Sequence, residues 1–221
     1  MDYNKSYKYF KGTSVGGGVV MIVIGAILFF IGFAWWPLII FGLLLLGGGI
    51  AVIVAISKGR VSDAQYDSNV VQMLNGLQAR ALQKLGVDPD EVKEIAPIQF
   101  DGYTFDGADV GKVGNDGKWR TNWYKATCFF FSQNEVHCYV YKFNTLRNQF
   151  FEETEVYFYK DIVSCSTSTE VVQFLNNNVN YEYFKLTTTG GTSISASFRD
   201  IDYAQRSINA MRSLLKIKKM G

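Results

Sequence analysis

The stretch GTSVGGGVVMIVIGAILFFIGFAWWPLIIFGLLLLGGGIAVIVAIS, from Gly12 to Ser57, decides the architecture of this chain, because its 46 residues carry no charged side chain. The rest of the 221-residue chain carries all 22 basic and all 20 acidic side chains. A helix crosses a bilayer core with about 20 apolar residues. The stretch therefore has room for two spans and a tight turn. It excludes a purely soluble protein, a disordered chain and a disulfide-stapled secreted domain.

The position of a Trp-Trp-Pro step predicts where the chain turns between the two spans. Proline ends the preceding helix and suits the first turn of the next, and tryptophan prefers the headgroup zone of a membrane. We therefore predict a transmembrane helical hairpin over residues 12–57, with helices at about 15–34 and 37–56 and a turn at 35–37.

Basic residues on both flanks of the hairpin predict its orientation. Residues 1–11 form a basic tail, Lys58 and Arg60 follow the second span, and the turn carries no charge. Because basic flanks stay on the cytoplasmic side, we expect a multi-pass protein of the cell (inner) membrane with both termini cytoplasmic. A cleaved signal peptide is the rival interpretation, but its apolar core is shorter than this stretch.

Glycines recur every seven residues along both predicted spans, at Gly18, Gly25 and Gly32 and again at Gly42 and Gly49. A seven-residue step returns to nearly the same helix face, and glycine stripes let helices approach closely in lipid. The stripes predict either packing within one hairpin or oligomerisation between hairpins. Neither span contains an ionisable residue, which argues against a transporter, a proton relay or a selective ion channel.

A helical connector is predicted over residues 58–96, and its residues 61–96 carry a net charge of −3. Its first helix, Ser62–Leu85, has one apolar stripe and ends before Gly86. A second short helix follows at Pro89–Ile95. The stripe predicts packing against the C-terminal domain or against a neighbouring copy, and comprises Val70, Met73, Leu74, Leu77, Ala81 and Leu85.

The remaining residues, 97–221, alternate between strand-like runs and turns and end in an amphipathic helix at about 200–219. The strand-like runs are Pro97–Phe105, Trp119–Phe131, Val136–Leu146, Phe150–Tyr159, Ile162–Leu175 (one or two strands), Tyr181–Thr188 and Thr192–Phe198. This order predicts an α+β soluble domain, a seven-stranded bent antiparallel β-barrel or sandwich capped by its C-terminal helix.

Three segments give this domain a family resemblance. Tyr157-Phe158-Tyr159-Lys160-Asp161-Ile162-Val163-Ser164, then Tyr183-Phe184-Lys185-Leu186-Thr187-Thr188, and then the closing helix resemble the pleckstrin-homology superfold in its bacterial PH-like or GRAM-like form. The likeness covers roughly residues 97–219 and rests on topology. A small membrane hairpin fused to such a domain also resembles uncharacterised bacterial membrane proteins.

The resemblance singles out Lys112, Lys118 and Arg120, which fit the K-x(n)-K-x-R spacing with which some PH domains hold phosphoinositides. They are the candidate contacts for an anionic lipid headgroup. The alternative is a solvated, glycine-rich loop, because Asp106, Asp109 and Asp116 dilute the charge.

Motifs for catalysis, metals and cofactors are missing from the sequence. The loop Asp106–Lys118 contains aspartates and glycines but lacks the D-x-[DN]-x-[DN]-G spacing of a calcium-binding loop. His137 and the three scattered cysteines do not have the spacing of zinc ligands. No P-loop, dinucleotide-binding motif or nucleophile elbow occurs. We therefore predict no enzyme and no cofactor, and the net charge of +1 over residues 97–221 predicts no nucleic-acid partner.

The leading hypothesis is an integral membrane protein whose cytoplasmic PH-like domain is a non-catalytic protein-interaction or self-assembly module. Its partners would be the lipid bilayer and either a protein or further copies of the chain. One alternative is a ligand-triggered effector, since some bacterial antiphage receptors join two membrane helices to a small β-barrel that binds a cyclic dinucleotide. The other is an inner-leaflet lipid sensor.

Overall fold

A helical region precedes antiparallel sheets and a C-terminal helix in this chain. The computed structural model describes residues 1–12, 16–31 and 36–220. They form two units, Asn4–Tyr66 and Met1–Tyr3 with Asp67–Gly221. The helices are α1 (Tyr3–Lys11), α2 (Gly16–Ile31), α3 (Trp36–Lys58), α4 (Asp63–Val71), α5 (Leu77–Leu85) and α6 (Ile201–Met220).

The helical unit contains one or two segments that are apolar enough to cross a membrane. By length and composition alone, the helical segment that begins at Trp36 could cross a membrane, and a second span results only if α1 and α2 count as one bent helix. Residues 15 and 32–35, which include part of the predicted first span and turn, lie outside the described residues. The two-span hairpin and its orientation therefore stay predictions.

Helices α2 and α3 contact each other through glycines. A Cβ atom on Gly25 would lie 2.8 Å from the carbonyl oxygen of Gly42, and one on Gly42 would lie 2.8 Å from that of Gly25. Gly49 approaches the carbonyl of Gly18 equally closely. The two helices therefore run antiparallel and approach at backbone distance. Gly32, the fifth predicted packing glycine, lies outside the described residues.

Two tyrosines hold α1 against the start of α4. Tyr9 and Tyr66 stack with ring centroids 4.3 Å apart, and both are buried. The Tyr9 hydroxyl donates a hydrogen bond of 2.8 Å to Asp63. The predicted basic N-terminal tail thus includes a helix that packs on α4.

The connector bends where its sequence contains glycine. The 3₁₀ turn Gln72–Leu74 follows α4, and Gly76 then adopts a left-handed φ of 71° before α5 begins. The prediction of one continuous helix to Leu85 is therefore wrong at this point. Gly86, with φ 68°, caps α5 as expected, and only the single 3₁₀ turn Pro89–Glu91 follows.

Nine strands form three antiparallel sheets in the described part of the chain. The strands are β1 (Ile98–Tyr103), β2 (Gly111–Val113), β3 (Trp119–Thr121), β4 (Trp123–Phe131), β5 (Glu135–Asn144), β6 (Phe150–Phe158), β7 (Ile162–Phe174), β8 (Asn177–Thr188) and β9 (Ser193–Ser197). Their orders are β1-β4-β5-β6, β2-β3 and β7-β8-β9.

Of the predicted seven-stranded bent barrel or sandwich, the antiparallel sheets and the C-terminal helix are confirmed, but the described strands number nine and do not close into a barrel. At one corner β1 approaches β9, where a Cβ on Gly102 would lie 3.0 Å from the Cβ of Ser197. At the other corner the 3₁₀ turn Tyr159–Asp161 separates β6 from β7, and the two strands do not pair.

The predicted strand over residues 119–131 breaks at Asn122, whose side-chain oxygen accepts hydrogen bonds from the amides of Asp109 and Val110. This break produces the extra β2–β3 hairpin.

Both faces of the central strands β4 and β5 are buried. On the inner face, Phe129 and Cys138 belong to the core that β8, β9 and α6 complete. On the outer face, Phe130 and Tyr139 are equally inaccessible. Helix α5 contacts β5 on that side and buries Leu77 and Ala81 of the predicted apolar stripe.

A cluster of charged side chains connects α5 to β6, the edge strand of the four-stranded sheet. Glu152 on β6 pairs with Arg80, lies 3.1 Å from the Lys84 amine and accepts a 2.5 Å hydrogen bond from the Tyr139 hydroxyl. The Arg80 guanidinium also lies 4.3 Å from the ring centre of Tyr141. The hydrogen bond from Tyr139, together with those from Lys84 and Arg80, lowers the pKa of Glu152 from 4.5 to about 2.

The glycine contact gives a first prediction. We expect Gly25→Leu to separate α2 from α3, because its side chain would meet the backbone of the other helix. The matched control Gly47→Leu should leave them together, since nothing lies within 4 Å of a Cβ there. Pulsed electron paramagnetic resonance between nitroxides at Ile27 and Leu44 in full-length chain measures the distance. An unchanged distribution in Gly25→Leu would contradict the contact.

The Glu152 cluster gives a pH prediction. A lowered folded-state pKa contributes stability that is complete above pH 4.5 and is lost as the pH falls towards 2. Glu152→Gln should therefore unfold more easily than the unaltered chain at pH 7, and the difference should vanish near pH 2. Chemical denaturation followed by near-ultraviolet circular dichroism measures it. The control is Glu153→Gln, and a Glu152→Gln difference that persists unchanged to pH 2 would refute the assignment.

Candidate functional site

Strand β6 is an edge strand of the four-stranded sheet. Its register with β5 determines which of its backbone groups point away from the sheet. The amide of Asn144 donates to Gln149 at 2.8 Å, and the amide of Tyr159 donates to Asn134 at 3.1 Å. Hydrogen-bonded pairs alternate with non-bonded pairs in an antiparallel ladder. The odd-numbered residues 151–157 therefore bond to β5. The even-numbered residues 150–158 direct their N–H and C=O groups outward, where the described residues supply no strand partner.

Large apolar side chains line this open edge. Those of Phe150, Phe151, Val156 and Phe158 are each 46–55% exposed. Natural edge strands are ordinarily shortened, covered or heavily charged to prevent association with other chains. A nine-residue edge with four exposed apolar side chains is therefore a candidate interaction surface.

Two carboxylates share the inner face of β6. Glu153 and Glu155 lie opposite Val140 and Cys138 of β5, and neither has an ion-pair partner within 4.0 Å among the described residues. Glu152, which precedes them on the outer face, is already engaged by Arg80 and Lys84. The inner face of this edge carries Glu153 and Glu155 together with Phe151, and its outer face carries Phe150, Val156 and Phe158. We call the strand with these side chains the β6 edge.

The three residues predicted to hold a headgroup gather on the β2–β3 hairpin, but with different surroundings. Lys112 lies directly opposite Arg120 in the register, and Lys112 and Lys118 are exposed. Arg120 is buried and lies between two carboxylates. Its Nε and Nη2 atoms donate to Asp67 at 2.9 and 2.7 Å, and its Nη1 and Nη2 atoms donate to Asp116 at 2.9 Å each.

The guanidinium of Arg120 has no donor left for a phosphate in this arrangement. The fifth N–H of its five donors reaches the carbonyl of Lys118 at 3.4 Å. The Arg120 guanidinium in turn lowers the pKa of Asp116. Since Asp67 belongs to α4, this bidentate clamp joins the connector to the strand domain.

A cavity of about 450 Å³ adjoins the clamp. Its aromatic walls are formed by Tyr103, Phe105, Trp119, Tyr181 and Phe198. The cations at its rim are largely neutralised, since Arg120 is clamped and Arg199 lies 2.6 Å from Asp101. Lys118 and Glu182 add one opposite charge each. The cavity is therefore suited to an uncharged or weakly charged ring more than to a phosphate ester.

The thiols and the histidine lie in the strand core. All three cysteines are buried, and burial raises the pKa of the Cys128 and Cys165 thiols to about 12. They are therefore protonated at neutral pH and poor nucleophiles. His137 Nε2 lies 3.3 Å from Glu135. In the described ranges no three His, Cys, Asp or Glu side chains are placed to hold a metal ion.

The glycines predicted to pack helices within one hairpin or between hairpins lie, where they are described, between two helices of one chain. Gly18, Gly25, Gly42 and Gly49 are buried in the α2–α3 contact. The predicted site residues therefore form two groups, one on the hairpin β2–β3 and one between α2 and α3. The β6 edge belongs to neither. The sequence signals it only through the consecutive Phe150 and Phe151 and the acidic residues that follow them.

No protein-family model matches this chain, and no curated protein is similar to it. Its function must therefore be inferred from its own residues.

The clamp gives a prediction about stability. Arg120→Ala should lower the free energy of unfolding by about 2–3 kcal/mol, because it leaves two neighbouring carboxylates without their cation. Arg147→Ala is the matched control. It removes a surface pair with Asp109 in which both side chains are 59% exposed, and it should cost less than about 0.5 kcal/mol. Equal effects in urea denaturation of the full-length chain would contradict a structural role for Arg120.

Proposed function

We propose that this chain is a membrane-anchored, non-catalytic protein-interaction module that binds its partner at the β6 edge. The observation that carries the proposal is the exposure of four large apolar side chains along an unpaired strand. Such an edge associates readily with another chain. A protein partner accounts for both features at once, because it would pair the backbone and cover the side chains.

The anchor in this proposal is the pair of apolar helices α2 and α3. Their close glycine contact suits helices that associate in lipid, where small residues permit backbone approach. The basic residues before α2 and after α3 favour a cytoplasmic location for both termini. The strand domain would then be cytoplasmic.

The order of the strands supports the proposed PH-like fold. A four-stranded antiparallel sheet, a three-stranded antiparallel sheet and a C-terminal helix follow one another, with the β2–β3 hairpin inserted after β1. Apart from that hairpin, antiparallel strands followed by a closing helix are what the resemblance implies. The superfold hosts binding modules of several kinds, so the fold alone selects no ligand.

The two alternatives draw less support from the geometry. Headgroup or cyclic-dinucleotide binding requires cations that are free to meet phosphates. Arg120 and Arg199, the two arginines at the cavity, are each already paired with carboxylates. Self-assembly through the predicted glycine stripes would require faces that are used inside one chain.

Photo-crosslinking in the membrane tests the proposal. A photoreactive amino acid replaces Val156 on β6 or Val113 on β2 of the full-length chain, since these valines are 46% and 45% exposed. We expect a discrete adduct with a different protein at position 156 and none at 113. No adduct at 156, or adducts only with a second copy of this chain, would overturn the proposed partner binding.

A further inference from the structure

We propose that the partner adds an extended strand to the β6 edge, and that this strand alternates lysine or arginine with apolar residues. This inference rests on the proposed function and specifies its partner. It follows from the backbone of β6, from the two faces of its side chains and from the arrangement of its charges.

The backbone of β6 supplies the first step. The outward groups belong to every second residue from Phe150 to Phe158, as the hydrogen bonds at Asn144 and Tyr159 fix. A partner in extended conformation can pair with this row over the nine residues of the strand. Strand addition of this kind takes its affinity from main-chain hydrogen bonds and its specificity from alternate side chains.

The side chains on the inner face of β6 determine which positions of the partner strand are basic. Side chains directly opposite on neighbouring strands are about 5 Å apart, so opposite charges there attract and like charges repel. An added strand would place two of its side chains beside Glu153 and Glu155. Neither carboxylate has an ion-pair partner in the described residues, and lysine or arginine would complement both.

The side chains on the outer face of β6 determine which positions of the partner strand are apolar. Phe150, Val156 and Phe158 project from this face and are about half exposed. Glu152, on the same face, is already paired with Arg80 and Lys84 and needs no further cation. Apolar residues on that side of an added strand would cover the exposed rings.

A second copy of the chain is a poor occupant of the edge. Antiparallel pairing of two β6 strands about Thr154 would set Glu153 of each copy against Glu155 of the other, which brings four carboxylates together. Like charges directly opposite destabilise a sheet. The same carboxylates oppose contact with an anionic membrane surface. The charges thus favour a basic strand of a different protein over a second copy paired in this register.

Synthetic peptides test this pattern against the full-length chain in detergent micelles. The probe is a fluorescent peptide as long as β6 that alternates lysine and valine. Its controls are a glutamate–valine counterpart and a peptide of the same composition with all lysines before all valines. We expect the alternating basic peptide to bind about tenfold more tightly than either control, measured by fluorescence anisotropy.

Charge reversal locates the site. Glu153→Lys/Glu155→Lys should reverse the preference towards the glutamate–valine peptide. The matched control Glu91→Lys/Glu182→Lys changes the net charge equally at exposed positions away from β6 and should keep the original preference. N-methylation of alternate amides in the probe should abolish its binding, because it removes the main-chain donors.

The outcomes separate this inference from the proposed function. If position 156 crosslinks to a protein but the peptides bind equally, the basic-strand inference is wrong and the protein-interaction function stands. If position 156 gives no adduct, the function fails and the inference with it. Equal effects of the two charge-reversal variants would also overturn the inference, since binding would then follow net charge.

Discussion

Burial of both faces of the central strands β4 and β5 is the constraint on which the rest of the strand domain depends. Most residues of these two strands are inaccessible, including the consecutive Phe129, Phe130 and Phe131. A sheet with two apolar faces needs a cover on each side. The second sheet and α6 cover the inner face, and α5 covers the outer face. Helix α5 of the connector is therefore part of the fold of this domain.

The same arrangement leaves the sheet open at one side. β4 and β5 satisfy their hydrogen bonds within the sheet, whereas β6 is followed by a 3₁₀ turn that sends the chain into β7 without pairing the two. Glu152 fixes β6 to α5, so the strand is held in place while its outer edge stays uncovered. Because these contacts hold β6 in place, the proposed strand addition would cost little conformational entropy.

The sequence predicts the elements well because their signals are local. Alternation located most strands to within a few residues, and the apolar face located α6. The sequence could not predict that Asn122 would break a strand, because the break depends on hydrogen bonds to the loop at Asp109 and Val110. For the same reason the sequence offers Arg120 as a candidate headgroup contact and does not reveal its carboxylate partner Asp67, which lies 53 residues away. The edge position of β6 depends on which strands fail to pair, and no periodicity carries that information.

Residue-resolved amide exchange in the purified full-length chain tests the central claim, an open β6 edge, most directly. The amides of residues 150, 152, 154, 156 and 158 should exchange rapidly, while those of the intervening residues, which bond to β5, should be protected. An alternating pattern along the strand is the predicted result. Uniform protection of all these amides would mean that the edge is already covered, and would contradict the account.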